Sequence, residues 1–221
     1  MKPYYEEAGI VIYNCDCREI LLTLGPVDLV LTDPPYGINL NTDNSRFSGG
    51  TLGNIAKRGN GIGTARGARI ANDQVEFDPS FLLSVGQSQI IWGWHNFPDK
   101  LPRGTCLVWL KRNDDAFGSF LSDAETAWMS KGHGVYCRRD LSNNAIANER
   151  VHPTQKPVGL MKWCLGFFPH ADIILDPFMG SGTTLRAAKD LKRKAIGIEL
   201  EEKYCEIAAH RLQQEVIDLT A

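Results

Sequence analysis
Two stretches of this chain carry residue types that could do chemistry together. The first is Asp33-Pro34-Pro35-Tyr36. A carboxylate accepts hydrogen bonds, and a tyrosine ring offers a flat stacking face. Between them stand two prolines, which have no N–H to give and end any sheet ladder that reaches them. The second is Asp176-Pro177-Phe178-Met179-Gly180-Ser181-Gly182-Thr183-Thr184, with Glu199 nineteen residues beyond Gly180. Glycines in a turn admit a ligand close to the backbone, and the helix N-terminus that follows favours an anionic group. An acid at about that spacing can hold ribose hydroxyls. Leu185 stands where the third glycine of a G-x-G-x-x-G fingerprint would be. The pattern therefore points to a nucleoside cofactor without being the dinucleotide signature.

Both stretches need strands to place them. Val27 to Thr32 is a short aliphatic run that reads as a buried strand ending on Asp33. Before it, Ile10 to Asn14 reads as a strand and Cys15 to Leu24 as a short helix closed by Gly25-Pro26. Strand, helix and strand with tight connections make a parallel crossover unit, whose carboxyl edge is where ligands bind in open α/β sheets. Asp16 falls on that edge, where it suits a ligand or the N-cap of the following helix equally. Further on, Asp78-Pro79-Ser80 reads as a helix start, and Gln89–Gly93, Thr105–Leu110 and Ala124–Met129 read as strands. Val135–Cys137 is expected to pair with the last of these as a hairpin around Gly132-His133-Gly134. Pro157 opens a helix from Val158 to about Phe168, and Ala171–Asp176 is a second strand ending on an aspartate. A helix over Leu185–Leu191, a strand over Lys194–Leu200 and a helix over Glu202–Val216 complete the pattern.

A chain of 221 residues suits one substantial α/β domain spanning 1–221. An apolar content of 43% and a charged content of 23% are ordinary for a globular protein. No segment approaches a membrane span, and the first residues lack the pattern of a signal peptide. The six cysteines (15, 17, 106, 137, 164 and 205) form no C-x-x-C pair, which suits reduced thiols in a cytoplasmic protein and argues against a metal site. His95 and His133 have no serine or cysteine nucleophile in a recognisable setting, so they read as loop histidines.

A net charge of −2 does not advertise nucleic-acid binding, so any such surface must be local. One stretch qualifies. Residues 41–72 form a Gly/Arg-rich insertion directly after Tyr36, and 44–72 hold seven glycines and five basic residues with no acid. Arg46, Lys57, Arg58, Arg66 and Arg69 could neutralise phosphates while the glycines let the backbone lie close to a nucleic-acid chain. Arg138-Arg139 is a second basic candidate.

Taken together, Thr32-Asp33-Pro34-Pro35-Tyr36-Gly37, His152-Pro153-Thr154-Gln155-Lys156-Pro157 and the glycine turn from Asp176 to Thr184 resemble, in that order, the DNA amino-methyltransferases of the β arrangement. The resemblance runs from about Val11 to Leu212, includes Trp109–Arg112 and Asp123–Glu125, and is most similar to small prophage-type adenine-N6 enzymes. It implies a Rossmann-like S-adenosylmethionine-dependent fold, a seven-stranded mostly parallel sheet with one antiparallel strand, and a circularly permuted order with the catalytic motif first. It also implies S-adenosylmethionine as cofactor, with Asp176, Phe178, Gly180, Gly182 and Thr183 at its methionine end. Glu199 would hold the ribose, Asp16 would lie near the adenine, and Lys156 near the carboxylate. DNA is the implied partner; similar enzymes are often homodimers, and a restriction endonuclease partner is left open. Gly93-Trp94-His95-Asn96-Phe97 departs from the Gly-Gly-Asn-Tyr-Phe-like segment of relatives. No sizeable recognition domain lies between Lys131 and Val151, which shifts sequence reading onto the 41–72 insertion.

The chemistry of an aromatic amine supplies the expected mechanism. Its lone pair is delocalised into the ring, so an enzyme helps by accepting hydrogen bonds from both amino hydrogens. Asp33 would accept one and the Pro34 carbonyl the other, with Pro35 fixing that carbonyl and Tyr36 stacking on the base. Related cytosine-N4 enzymes more often carry Ser at the first position of this motif, so Asp33 favours adenine-N6 with cytosine-N4 as the alternative. A non-catalytic DNA-binding protein and a nicotinamide oxidoreductase are the readings from other classes.

Overall fold
The computed structural model describes residues 1–38, 73–118, 122–141 and 155–214. The 41–72 insertion with its five basic candidates, residues 142–151 and His152–Thr154 of the second motif lie outside them.

The strands are β1 (Tyr5–Glu7), β2 (Ile10–Asn14), β3 (Leu29–Thr32), β4 (Ser88–Trp92), β5 (Thr105–Leu110), β6 (Ala124–Met129), β7 (Val135–Arg139), β8 (Ile173–Asp176) and β9 (Lys194–Glu199). The helices of interest are α1 (Cys17–Ile20), α2 (Val158–Gly166), α3 (Thr183–Asp190) and α4 (Glu202–Gln213). Among the described residues the strands form one sheet in the order β1-β2-β9-β8-β3-β4-β6-β5-β7. The seven inner members of that order match the sequence expectation: all are co-directional except β6, which runs antiparallel to both β4 and β5. The sheet is wider than seven strands because each edge gains one more. β1 adds antiparallel to β2, and β7 adds parallel to β5.

That last pairing corrects the expected hairpin. β6 already has β4 on one side and β5 on the other, so it has no free edge for the chain that follows it. The turn through Gly132–Gly134 instead carries the chain past β6 to the open edge of β5, where Val135 to Arg139 pair with Cys106 to Leu110. Elsewhere the differences are in length. The first helix is one turn of α-helix continued as a 3-10 turn over Leu21–Thr23, and the segment opened by Asp78 is 3-10 over Pro79–Ser84.

β3 shows how the core is shared. Leu29, Val30 and Leu31 have no measurable exposure, and alternate side chains enter opposite faces. Leu29 and Leu31 join the cluster containing Leu160, Leu185 and Leu212 from α2, α3 and α4. Val30 joins Cys17, Ile20 and Leu21 on the other side. A sheet covered on both faces explains the uninterrupted apolar runs, each fully buried aliphatic side chain contributing about 2 kcal/mol. It also leaves polar work to the strand tips. β3 lies directly between β4 and β8, so Asp33 and Asp176 emerge side by side although 143 residues separate them in the sequence.

Candidate active site
Beyond β3, the carboxylate of Asp33 is held from two sides. The Tyr36 hydroxyl donates to its Oδ1 at 2.5 Å, and the Lys156 ammonium donates to its Oδ2. Lys156 comes from the residue pair before α2 and is buried, with 4% side-chain exposure. It also pairs with Glu125 Oε2 at 3.0 Å, and Glu125 Oε1 pairs with Lys111 at 2.9 Å. The Trp92 ring lies beneath the ammonium at 5.8 Å. Burial raises the Asp33 carboxyl, Lys156 pulls it back, and Glu125 adds to the rise. Burial alone would lower the Lys156 ammonium, but Asp33 and Glu125 reverse that and hold it well above the ordinary lysine value. Glu125 resists burial because Lys156 and Lys111 bring its carboxyl down to about 2. The Tyr36 phenol is pushed well up by burial and by Asp33, so it stays protonated as a donor.

Two further features fix the turn after β3. The Asp73 carboxylate accepts the backbone N–H groups of Tyr36 and Gly37, each at 2.9 Å, and is itself buried. The Tyr36 ring rests on Gly93, which has φ +76° and would put any Cβ 2.0 Å from the ring edge. A side chain there would be strained by its backbone and would expel the tyrosine. The sequence gives no sign of Asp73, which follows an irregular stretch and belongs to no periodic element. Only the familial resemblance marks Glu125 in the sequence, although a carboxylate inside Ala124-Glu125-Thr126-Ala127-Trp128-Met129 is itself a signal for a buried partner.

The glycine turn is built differently. Asp176 is buried and accepts from the Thr32 hydroxyl at 2.7 Å and from the Phe178 N–H at 3.2 Å. Burial raises its carboxyl to about 6, against hydrogen bonds from Thr184 and Thr32. Glu199 accepts the Gly180 N–H at 3.0 Å and the Glu201 N–H at 2.9 Å, and burial raises its carboxyl as well. Gly182, at φ +76°, faces α4, where an added Cβ would lie 2.7 Å from the Cβ of Ala208. Its place is therefore a tight helix crossing. Arg211 of α4 reaches the Ser181 hydroxyl at 3.0 Å and Gln155 at 3.2 Å, fastening the turn to the segment that carries Lys156.

A cavity of about 320 Å³ opens between these two turns. Asp16, Asp33, Pro34, Pro35, Tyr36, Phe178, Gly180 and Glu199 all line it, together with Asp73. The Asp16 carboxylate accepts the Arg18 N–H at 2.9 Å as the α1 N-cap, and the residue also lines the cavity. Lys156, Asp176 and Thr183 border a smaller void of about 30 Å³ that also touches Asp33 and Gly180. Gly182 lines neither. The donor set fits a nucleoside: acidic groups for hydroxyls and an amino group, a phenylalanine face, and a backbone turn open to close approach.

Other candidates take ordinary places. His95 Nδ1 lies 3.0 Å from the Thr126 hydroxyl, and Arg139 pairs with Asp114. All six cysteines are free, and among the described residues no side-chain cluster suits a metal ion. No described helix is long and apolar enough to cross a membrane.

The chain is 26% identical over 257 aligned residues to the type II methyltransferase M2.LlaDCHI of Lactococcus lactis subsp. cremoris, covering 96% of this chain and 93% of that one. Its fold is similar to the M1.HpyAVI–SAM complex (TM-score 0.53, 24% identity, 91% of this chain and 99% of that chain). It is similar also to the cytosine-N4-specific PvuII DNA methyltransferase (TM-score 0.59, 17% identity, 98% and 91%). Residues 87–210, more than half of the chain, match the N6/N4 family model described as DNA methylase. With an acid–proline–proline–tyrosine turn and a glycine turn closing on one cavity, the chain belongs to the N6/N4 DNA methylases.

Proposed function
We propose that this protein transfers a methyl group from S-adenosylmethionine to the exocyclic N6 amino group of adenine in DNA, releasing S-adenosylhomocysteine and a proton. The observation that carries the reading is the shared cavity: Asp33 and Tyr36 line it from one side, Phe178, Gly180 and Glu199 from the other. The complex of M1.HpyAVI with SAM supports the cofactor, and the DNA methylase family match supports DNA as substrate.

Glu199 accepts hydrogen bonds from ribose hydroxyls, Asp16 faces the adenine end, and Phe178 and Gly180 bound the methionine end. Asp176 and Thr183 hold the shape of that turn. Bound there, the cofactor supplies an electrophilic methyl on a sulfonium. Asp33 accepts one hydrogen bond from the target amine and the Pro34 carbonyl the other. That alignment frees the lone pair, and positioning of this kind lowers a barrier by several kcal/mol. Pro35 fixes the carbonyl, and Tyr36 stacks on the base. A base inside a duplex must first be flipped out, at a cost of a few kcal/mol. Arg46, Lys57, Arg58, Arg66 and Arg69 are assigned to the DNA backbone from their charge and spacing alone.

Asp33 as the accepting group favours adenine over cytosine. Nucleoside analysis of DNA incubated with the protein and methyl-labelled S-adenosylmethionine tests the reading. Label in N6-methyladenine is expected. Label in N4-methylcytosine would move the target to cytosine, and DNA binding with no label at all would leave a non-catalytic protein.

A further inference from the structure
Asp33 is not simply paired with a cation. It stands at the end of a row in which charges alternate: Asp33, Lys156, Glu125, Lys111. The row crosses four elements: the turn after β3, the segment before α2, strand β6 and the tip of β5. β6 is the reversed strand, and its residue Glu125 pairs in register with Trp109 of β5, two residues before Lys111. Neither Glu125 nor Lys111 lines the cavity. They meet the site through the ion pair of Glu125 with Lys156, and Glu125 also acts through space on Asp33.

A buried carboxylate needs a partner, yet a single buried ammonium devoted to it would also weaken it as an acceptor for anything else. Sharing the ammonium resolves that conflict. We infer that Glu125, braced by Lys111, is a positioning residue that draws part of the Lys156 ammonium away from Asp33, so that Asp33 is fixed in orientation while keeping acceptor strength for the target amine. The inference rests on the methyl-transfer reading above. Four ionisable groups face Asp33: Tyr36 from its own turn, Lys156, Glu125 from β6, and Asp176 from the neighbouring strand β8. Tyr36 stays protonated and Asp176 is common to every variant, so the two row members can be varied against a fixed background.

The row makes two replacements act in opposite directions. Lys156→Met removes the cation beside Asp33, and the acidic limb of the kcat profile moves to higher pH, by about 1–3 units for loss of an opposite charge in contact. Glu125→Gln removes an anion and leaves Lys156 wholly on Asp33. The acidic limb then moves to lower pH, while the plateau falls about tenfold because Asp33 is a weaker acceptor. Binding of S-adenosylhomocysteine to Glu125→Gln, followed by calorimetry, stays within twofold of the unmodified protein. Opposed displacements are the expected result; limbs that stay put, or move the same way, overturn the inference, as does loss of S-adenosylhomocysteine binding in Glu125→Gln. If Lys156→Met fails to fold, the Glu125→Gln limb decides alone. Carbon-13 titration of the Asp33 carboxyl needs no turnover. It separates a failure of the row, in which Asp33 titrates alike in both proteins, from a failure of the methyl-transfer reading, in which Asp33 shifts but no DNA is labelled.

Discussion

The turns after β3 and β8 begin alike and are used differently. Each strand ends on a buried or half-buried aspartate followed by proline, and the two strands are neighbours in the sheet. In each, backbone amides of the turn are held by a carboxylate from elsewhere: Asp73 for Tyr36 and Gly37, Glu199 for Gly180. The aspartates themselves diverge. Asp176 is surrounded by neutral donors, the hydroxyls of Thr32 and Thr184 and the Phe178 N–H, and its carboxyl sits at about 6. Asp33 faces an ammonium and a phenol. Neutral donors satisfy a carboxyl in either protonation state and make a good fastener, whereas a cation favours the charged form that can accept from a substrate. Burial raises both carboxyls, and the partner is what distinguishes Asp33 from Asp176.

The largest test of that division is Asp33→Ala. Loss of a preorganised polar group at a reacting centre costs about 10²–10³-fold in rate, so kcat for methyl transfer is expected to fall by about 10³-fold while S-adenosylhomocysteine binding persists. A variant retaining a tenth of the activity would mean that the amine is aligned by other groups.

Asp176 is tested by pH. Its folded value of about 6 stands above the ordinary 3.8, so the folded chain binds this proton more tightly than the unfolded one. The stability that results is fully present below the unfolded value and is lost as pH rises through about 6. Between about pH 4 and pH 7 the protein should lose up to about 3 kcal/mol that Asp176→Asn does not lose. Denaturant unfolding of both proteins across that range measures the difference. Parallel curves would show that the carboxyl is not held in its neutral form.

These aspartates were legible because each ends an apolar run and is followed by residues that cannot extend a strand. The same contrast gave β5 and β6 to the residue, since both are bounded by turns and rich in strand-forming side chains. Pairing was less legible. Val135–Cys137 has the composition of a hairpin partner, but whether β6 had an edge to offer depends on the position of β4, which ends at Trp92. The brackets around the site were hidden for a related reason. Glu125 and Asp73 acquire meaning from what the sheet brings to them. Lys156 was expected near the cofactor's carboxylate from the motif it belongs to, and its ammonium is found between Asp33 and Glu125.

Asp73→Ala probes the bracket of the turn after β3. Two backbone N–H groups would lose their charged acceptor, each such bond being worth about 1.5–3 kcal/mol before water replaces it. With the cavity open to solvent, a net loss of about 2 kcal/mol is expected, with kcat falling more than cofactor affinity. If both fall together, Asp73 supports the glycine turn as well, and the two turns are not separately braced.

The smallest effect is expected from Tyr36→Phe, and it divides the duties of that residue. The ring rests on Gly93 and would do so unchanged, so its place beside the cavity is preserved. What disappears is one hydrogen bond to Asp33 Oδ1. Because Lys156 still orients the other oxygen, the loss should be that of a single bond to a charged group already fixed, about 1–1.5 kcal/mol, or roughly tenfold in kcat. Tyr36→Ala removes ring and hydroxyl together and should cost far more. Equal losses in the two variants would make the hydroxyl, and not the ring, the reason for a tyrosine here. The aspartate would then owe its orientation to its own turn more than to the ammonium that distinguishes it from Asp176.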